Sequence, residues 1–232
     1  SRFSIARIIK KHIDSNYLIV GTMWHTRIEF IALQEAKRAG LYTIAYLDSW
    51  VNYRERFDYP KKEWQKNLPD ELWVGDKEAK NLATKLFPVS ILIKLVPNQY
   101  FTSIKKRYQV LQSKTKCSYI LFLSNSSDKN QLAFLWLIKV VYSMENKPII
   151  KIRFHPSDNR KWTHVFNAKY GSQIEISDEQ ELAQDFAQAC VVVGLETTAL
   201  VVALLCGLTS ICIKTKGIKT TLPFKKIHTV TN

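Results

Sequence analysis

Residues Glu181 to Ile213 read ELAQDFAQACVVVGLETTALVVALLCGLTSICI. The apolar residues in this stretch change period several times. From Glu179 to Gln188 they recur at helical spacing. Cys190 to Val193 is a short continuous apolar run closed by Gly194. Thr197 to Cys206 is again long enough for a helix, and Ser210 to Lys214 again suits a strand. Helix, strand, helix, strand at these lengths is the pattern of parallel strands joined by crossover helices. A strand that is apolar throughout, rather than on alternate residues, implies a sheet covered on both faces.

The same alternation extends in both directions. Upstream in this half, Tyr119 to Leu123, Pro148 to Phe154 and Gln173 to Ile176 read as strands, and Leu132 to Met144 as an apolar helix. The first half carries its own series. Tyr17 to Gly21 is a strand, Arg27 to Ala39 a helix closed by Gly40, and Leu41 to Leu47 a strand. Glu71 to Val74 is a strand, Lys77 to Leu86 a helix stopped by Pro88, and Ser90 to Val96 a strand. Between the halves, Gln99 to Lys116 is basic and polar, a helix or a linker. The fold class expected is α/β, with two Rossmann-like domains whose parallel sheets face a cleft. The expected boundaries are 1–97, a connector at 98–116, and 117–232.

The composition is that of an ordinary globular chain: 232 residues, 46% hydrophobic and 23% charged. No apolar run approaches the roughly 20 residues of a membrane span, and no signal peptide opens the chain. Ser1 to Lys11 reads as the middle of a helix, so the chain reads as a piece of a longer protein. Of the four cysteines, Cys190, Cys206 and Cys212 sit in apolar runs, and none forms a CxxC pair with zinc spacing. These three are expected as reduced core residues of a cytoplasmic protein, and no metal site is expected. The net charge of +14 attracts phosphates. It is compatible with a phosphorylated substrate, an anionic membrane surface or nucleic acid. The lysines are spread along the chain, which suits the first two better, and no nucleic-acid motif is present.

Two constellations sit where strands end, and that is where open α/β sheets bind ligands. The first is Arg153-Phe154-His155-Pro156-Ser157-Asp158. Its histidine can donate to a phosphate oxygen; it can equally be a solvated residue in a turn. The second is Val193-Gly194-Leu195-Glu196-Thr197-Thr198. Here a glycine permits close approach, a helix N-terminus favours an anion, and two threonines add hydroxyls. Glu196 opposes a phosphate and suits a ribose or sugar hydroxyl instead. A plain helix cap explains the same residues. The long segment from Asp48 to Pro69 follows a strand end and is rich in aromatic and charged residues. It reads either as a functional loop or as an excursion packing Trp50, Tyr53 and Phe57. Its Arg54 and Arg56 can bind an anionic ligand or remain solvated.

From IRFHPSD through the stretch quoted first, the sequence resembles the second domain of bacterial GT-B glycosyltransferases of surface and capsule polysaccharide assembly. The sialyltransferase, Kdo-transferase and glycerophosphotransferase-like groups are the most similar. The first half resembles the acceptor-side domain more loosely, through DSWVNYRERF and PDELWVGD. The resemblance implies metal-independent transfer of a sugar from a nucleotide-activated donor, with CMP-linked donors among the options. The acceptor would be a growing glycan or lipid-linked glycan at the inner membrane face. His155 and Pro156 match the first phosphate-holding motif, and Thr197 and Thr198 the second. The nucleotide sugar is a co-substrate, and no separate cofactor is implied. A general base is expected from the first domain: Asp48, with His25 and Glu29 as further candidates. Other readings of the same residues are a nucleotide-sugar epimerase or hydrolase of this fold, a non-catalytic scaffold subunit, and a nucleic-acid binder.

Overall fold

The structure, a computed structural model, describes residues 2–23, 26–112, 114, 116–158, 162, 170–214 and 221–231. The chain divides into two compact units, Ser1–Asn98 and Gln99–Asn232.

In the first unit a helix, α1 (Arg2–Lys11), leads into β1 (Tyr17–Val20), α2 (Ile28–Arg38), β2 (Tyr42–Leu47), β3 (Glu71–Val74), α3 (Lys77–Leu86) and β4 (Leu92–Leu95). The four strands are all parallel and lie in chain order. Gly40 closes α2 with φ of +78°, a left-handed turn that glycine adopts without penalty. Asp76 starts α3 by accepting the Ala79 N–H at 2.7 Å.

Residues 48–70 contain only two short 3-10 turns, Glu55–Phe57 and Trp64–Asn67. They build a small aromatic core of their own. Trp50, Tyr53, Phe57 and Trp64 are buried, and the rings of Tyr53, Phe57 and Trp64 lie 5.8–6.2 Å from that of Phe87. The segment is therefore a packed part of the unit. Arg56 ties it to the strand ends, bonding Asp48 and the Thr22 hydroxyl at 2.7 Å, Ser49 at 2.8 Å, and the Thr22 carbonyl.

The second unit holds α4 (Gln99–Gln112), β5 (Tyr119–Leu123), α5 (Asn130–Tyr142), β6 (Ile149–Arg153), β7 (Ile174–Ile176), α6 (Leu182–Gln188), β8 (Ala189–Gly194), α7 (Thr198–Leu205), β9 (Ser210–Lys214) and β10 (His228–Thr231). All six strands are parallel, in the order β7-β6-β5-β8-β9-β10. Numbered within the unit this is 3-2-1-4-5-6, the doubly wound Rossmann order, with its reversal between β5 and β8. The α5 helix covers one face with an aromatic cluster. Phe122 and Phe134 rings are 5.1 Å apart, and Trp162 lies 5.2 Å from Phe134. The α6 and α7 helices each pack against α4. Every residue of β5 is buried, which explains its unbroken YILFL run.

The sequence reading requires two adjustments. β10 was not expected, because its residues HTVT give little apolar signal and lie at an exposed sheet edge. Cys190 is not a core residue. Tyr119 pairs with Ala189 but Ile120 pairs with Val191, so Cys190 is the extra residue of a bulge and its side chain is exposed. Cys117 is exposed too, Cys206 is half-buried and Cys212 is buried.

Gly194 occupies the last position of β8. A Cβ built there would lie 2.6 Å from the Leu123 carbonyl oxygen, inside contact distance. Gly194→Ala is expected to cost about 2 kcal/mol by forcing β5 and β8 apart, read from the urea midpoint at unchanged m-value. In the first unit, Glu71 is buried between Lys94, Trp73 and Tyr42. Burial alone would raise its pKa, but these three partners outweigh it and hold the carboxyl below its ordinary value. The unfolded chain thus takes up this proton first as pH falls. Glu71 contributes its full stability above about pH 5 and loses it as pH drops through the folded value. The stability difference between wild type and Glu71→Gln should therefore be largest near neutral pH and shrink below about pH 4.

Candidate functional site

In the second unit, three strands end at one pocket of about 330 Å³. β5 contributes Ser124, β6 contributes Arg153 to Pro156, and the turn from β8 into α7 contributes Thr197 and Thr198. Tyr100, Leu182 and Val202 supply walls from the helices. No carboxylate lines this pocket among the described residues.

The histidine is fixed by local bonds. The His155 backbone N–H donates to the Ser124 hydroxyl at 2.9 Å, so β6 and β5 are pinned together at their ends. The Ser157 backbone N–H donates to His155 Nδ1 at 3.2 Å, with the Ser157 hydroxyl 2.6 Å from the same atom. A nitrogen that accepts an N–H is unprotonated, so the ring proton sits on Nε2 and remains available to donate. Pro156 between these partners fixes the turn.

Thr197 caps α7, with its hydroxyl 3.4 Å from the Ala199 N–H and its carbonyl taking the Leu200 N–H at 3.1 Å. The N–H groups of the first turn have no intrahelical acceptor and carry the positive end of the helix dipole. Thr198, the first residue of the helix, is exposed and lines the pocket.

The remaining expected residues have other partners. Arg153 lines the pocket, yet its guanidinium bonds the fully buried Asp185 at 2.6 Å and the carbonyls of Glu179 at 2.9 Å and Gln180 at 3.1 Å. It holds the 177–181 turn against the sheet. Gly194 is outside the pocket lining and serves the β5–β8 approach. Glu196 accepts from the Thr221 N–H at 2.6 Å and from its hydroxyl at 2.9 Å. Its side chain lines a second, smaller pocket of about 100 Å³ with Asn125, Lys129 and Lys214.

In the first unit, Asp48 is largely exposed and paired with buried Arg56. Glu29 accepts the Met23 N–H at 3.1 Å and so braces the turn after β1. His25 lies outside the described residues. Arg54 stacks its guanidinium 4.0 Å from the centre of the Tyr59 ring.

Sequence reading missed the β5–α5 loop. Asn130 is buried and binds Asn125 O and Ser127 O at 2.8 Å and Asp158 at 3.0 Å. Asn125 reaches the Glu196 carbonyl at 3.4 Å across the β5–β8 gap. The signal was present as SNSSDKN, a small polar cluster directly after an apolar strand. Only the strand order shows that this loop lies at the reversal point.

No family model and no curated protein matches the chain. Solved structures share its fold. A UDP-N-acetylglucosamine 2-epimerase from Rickettsia bellii matches with a TM-score of 0.62 at 12% identity, over 92% of this chain and 60% of its own. An S. aureus MnaA–UDP co-structure matches with 0.61 at 12% identity, over 91% and 61%. A putative UDP-N-acetylglucosamine 2-epimerase from Listeria monocytogenes matches with 0.58 at 14% identity, over 91% and 59%. The chain thus has the two-sheet α/β fold of these GT-B-like proteins and spans about three fifths of their length.

Removing the guanidinium tests the structural role of Arg153. Among the described residues, Arg153→Met leaves the buried Asp185 carboxylate with Ser177 at 2.8 Å and Lys151 at 3.9 Å. It is expected to destabilise the protein by about 3 kcal/mol in chemical denaturation, while Thr198→Ala changes stability little.

Proposed function

We propose that the pocket between Ser124, His155 and Thr198 holds the phosphate of a nucleotide-activated sugar, and that the protein is an enzyme acting on that sugar. The observation that carries this reading is the set of donors: an Nε2–H fixed by the Ser157 bond, three hydroxyls and a helix N-terminus, with no carboxylate in the lining among the described residues. Such a set favours an anion. The reaction it suits is departure of the nucleotide from the anomeric carbon. The C1–O bond breaks, its electron pair leaves on the phosphate oxygen, and the donors stabilise that charge.

Two of the structures that share the fold are described as UDP-N-acetylglucosamine 2-epimerases, one of them putative, and a third is a co-structure with UDP. This supports a uridine nucleotide over a cytidine one, and epimerisation over transfer. Glycosyl transfer to a glycan acceptor remains the second reading, favoured by the His-Pro and Thr-Thr motifs meeting at one pocket.

Calorimetric titration of UDP, CDP, CMP and GDP tests the site. UDP is expected to bind most tightly, and His155→Ala to weaken it at least tenfold, about 1.4 kcal/mol. Equal binding by wild type and variant, or no binding of any nucleotide, would remove the assignment. Incubation with UDP-N-acetylglucosamine alone, followed by NMR, separates the reactions. Epimer or free UDP without an acceptor indicates epimerase or hydrolase chemistry, whereas UDP released only when a glycan acceptor is present indicates transfer.

A further inference from the structure

The pocket at the ends of β5, β6 and β8 has two chemically different parts. Its donors stand at the strand ends and at the start of α7, whereas Tyr100, Leu182 and Val202 reach it from three helices. Its volume of about 330 Å³ falls within the range of pockets that hold a small molecule, and exceeds what one phosphate group fills. Thr198 and Val202 are one turn apart on the same face of α7, so the polar and apolar parts are joined along a rise of about 6 Å. On α4, Tyr100, Ile104 and Tyr108 follow at four-residue spacing and share one face of the helix. Ile104 is 8% and Tyr108 5% exposed, so this is the face that α4 turns to its neighbours α6 and α7. Tyr100 lies on that same core-facing stripe, yet it is 63% exposed with the pocket open beside it.

We propose that the apolar part of this pocket receives the nucleobase, and that the base stacks on the Tyr100 ring. The proposal rests on the phosphate assignment above and extends it to the other end of the same nucleotide. A base is a flat ring with apolar faces, and stacking on an aromatic side chain needs no particular hydrogen-bond pattern. Leu182 and Val202 line the pocket with apolar surface, so a base that enters leaves water on both of its sides. A sugar phosphate without a base uses the donors alone, whereas a nucleotide uses both parts of the pocket. Tyr100 is thus a specificity residue. It selects nucleotides over free sugar phosphates and takes no part in breaking the C1–O bond.

Calorimetric titration of the intact chain with UMP and with ribose 5-phosphate, which lacks the base, tests this. The wild type is expected to bind UMP about tenfold more tightly than ribose 5-phosphate. Tyr100→Ala should remove about tenfold of the UMP affinity and leave that for ribose 5-phosphate unchanged. Tyr100→Phe, which keeps the ring, should bind UMP as the wild type does. His155→Ala should weaken both ligands alike. If His155→Ala does so, but Tyr100→Ala weakens both ligands equally or neither, the stacking assignment is overturned and the phosphate site stands. Loss of UMP affinity in Tyr100→Phe would also overturn it, since the ring would not be the group that binds. Binding of neither ligand by the wild type would overturn both assignments. Should Tyr100→Ala not fold, Tyr100→Leu keeps the apolar bulk without the aromatic face, and the same selective loss of UMP affinity is expected.

Discussion

The approach of Gly194 to the Leu123 carbonyl is the constraint on which the second unit depends. β5 and β8 are paired through to their last residues, and no side chain larger than hydrogen fits where they end. Because the chain reverses its winding between these two strands, the segments that leave them part to opposite faces of the sheet. The gap between them receives the Ser124 hydroxyl from one side and the start of α7 from the other. A wider spacing would separate Ser124 from Thr197, and the His155 backbone, which bonds Ser124, would shift with it. Glycine here serves strand packing, and the pocket is a consequence of that packing.

Polar groups around the site are mostly committed to holding it in place. Asp185 has no exposure, yet it is matched by Arg153 and Ser177. Asn130 spends its amide on the β5–α5 loop, and Glu196 spends its carboxylate on Thr221. What remains available at the pocket surface is a short set of donors. This division of labour separates the groups at the pocket surface from those that position it, and the anion site we propose there rests on it. The first unit follows the same logic at its own strand ends. There the buried Arg56 gathers Asp48, Ser49 and Thr22, and the aromatic segment closes over Phe87.

Much of the architecture was legible in advance because burial leaves a periodic trace. YILFL and VVV are apolar at every position since both faces of the sheet are covered. Gly40 marks a helix end because its backbone is left-handed. The signal fails where burial is slight or register slips. HTVT forms β10 at an edge with little apolar surface, and Cys190 leaves the core because one inserted residue reverses the side on which a side chain points. The aromatic segment after β2 was ambiguous, since its residues carry no period and only their packing on Phe87 shows what they do.

The sequence by itself determined the class of fold, the alternation of strand and helix, and the placement of His155 and Thr197–Thr198 at strand ends, all of which follow from local periodicity and turn chemistry. Only the tertiary structure decided which strand ends meet, because strand order is set by long-range pairing that local pattern does not encode. It likewise decided that Arg153 and Glu196 are held by Asp185 and Thr221, since a charged side chain goes to whichever partner the fold brings within hydrogen-bond distance.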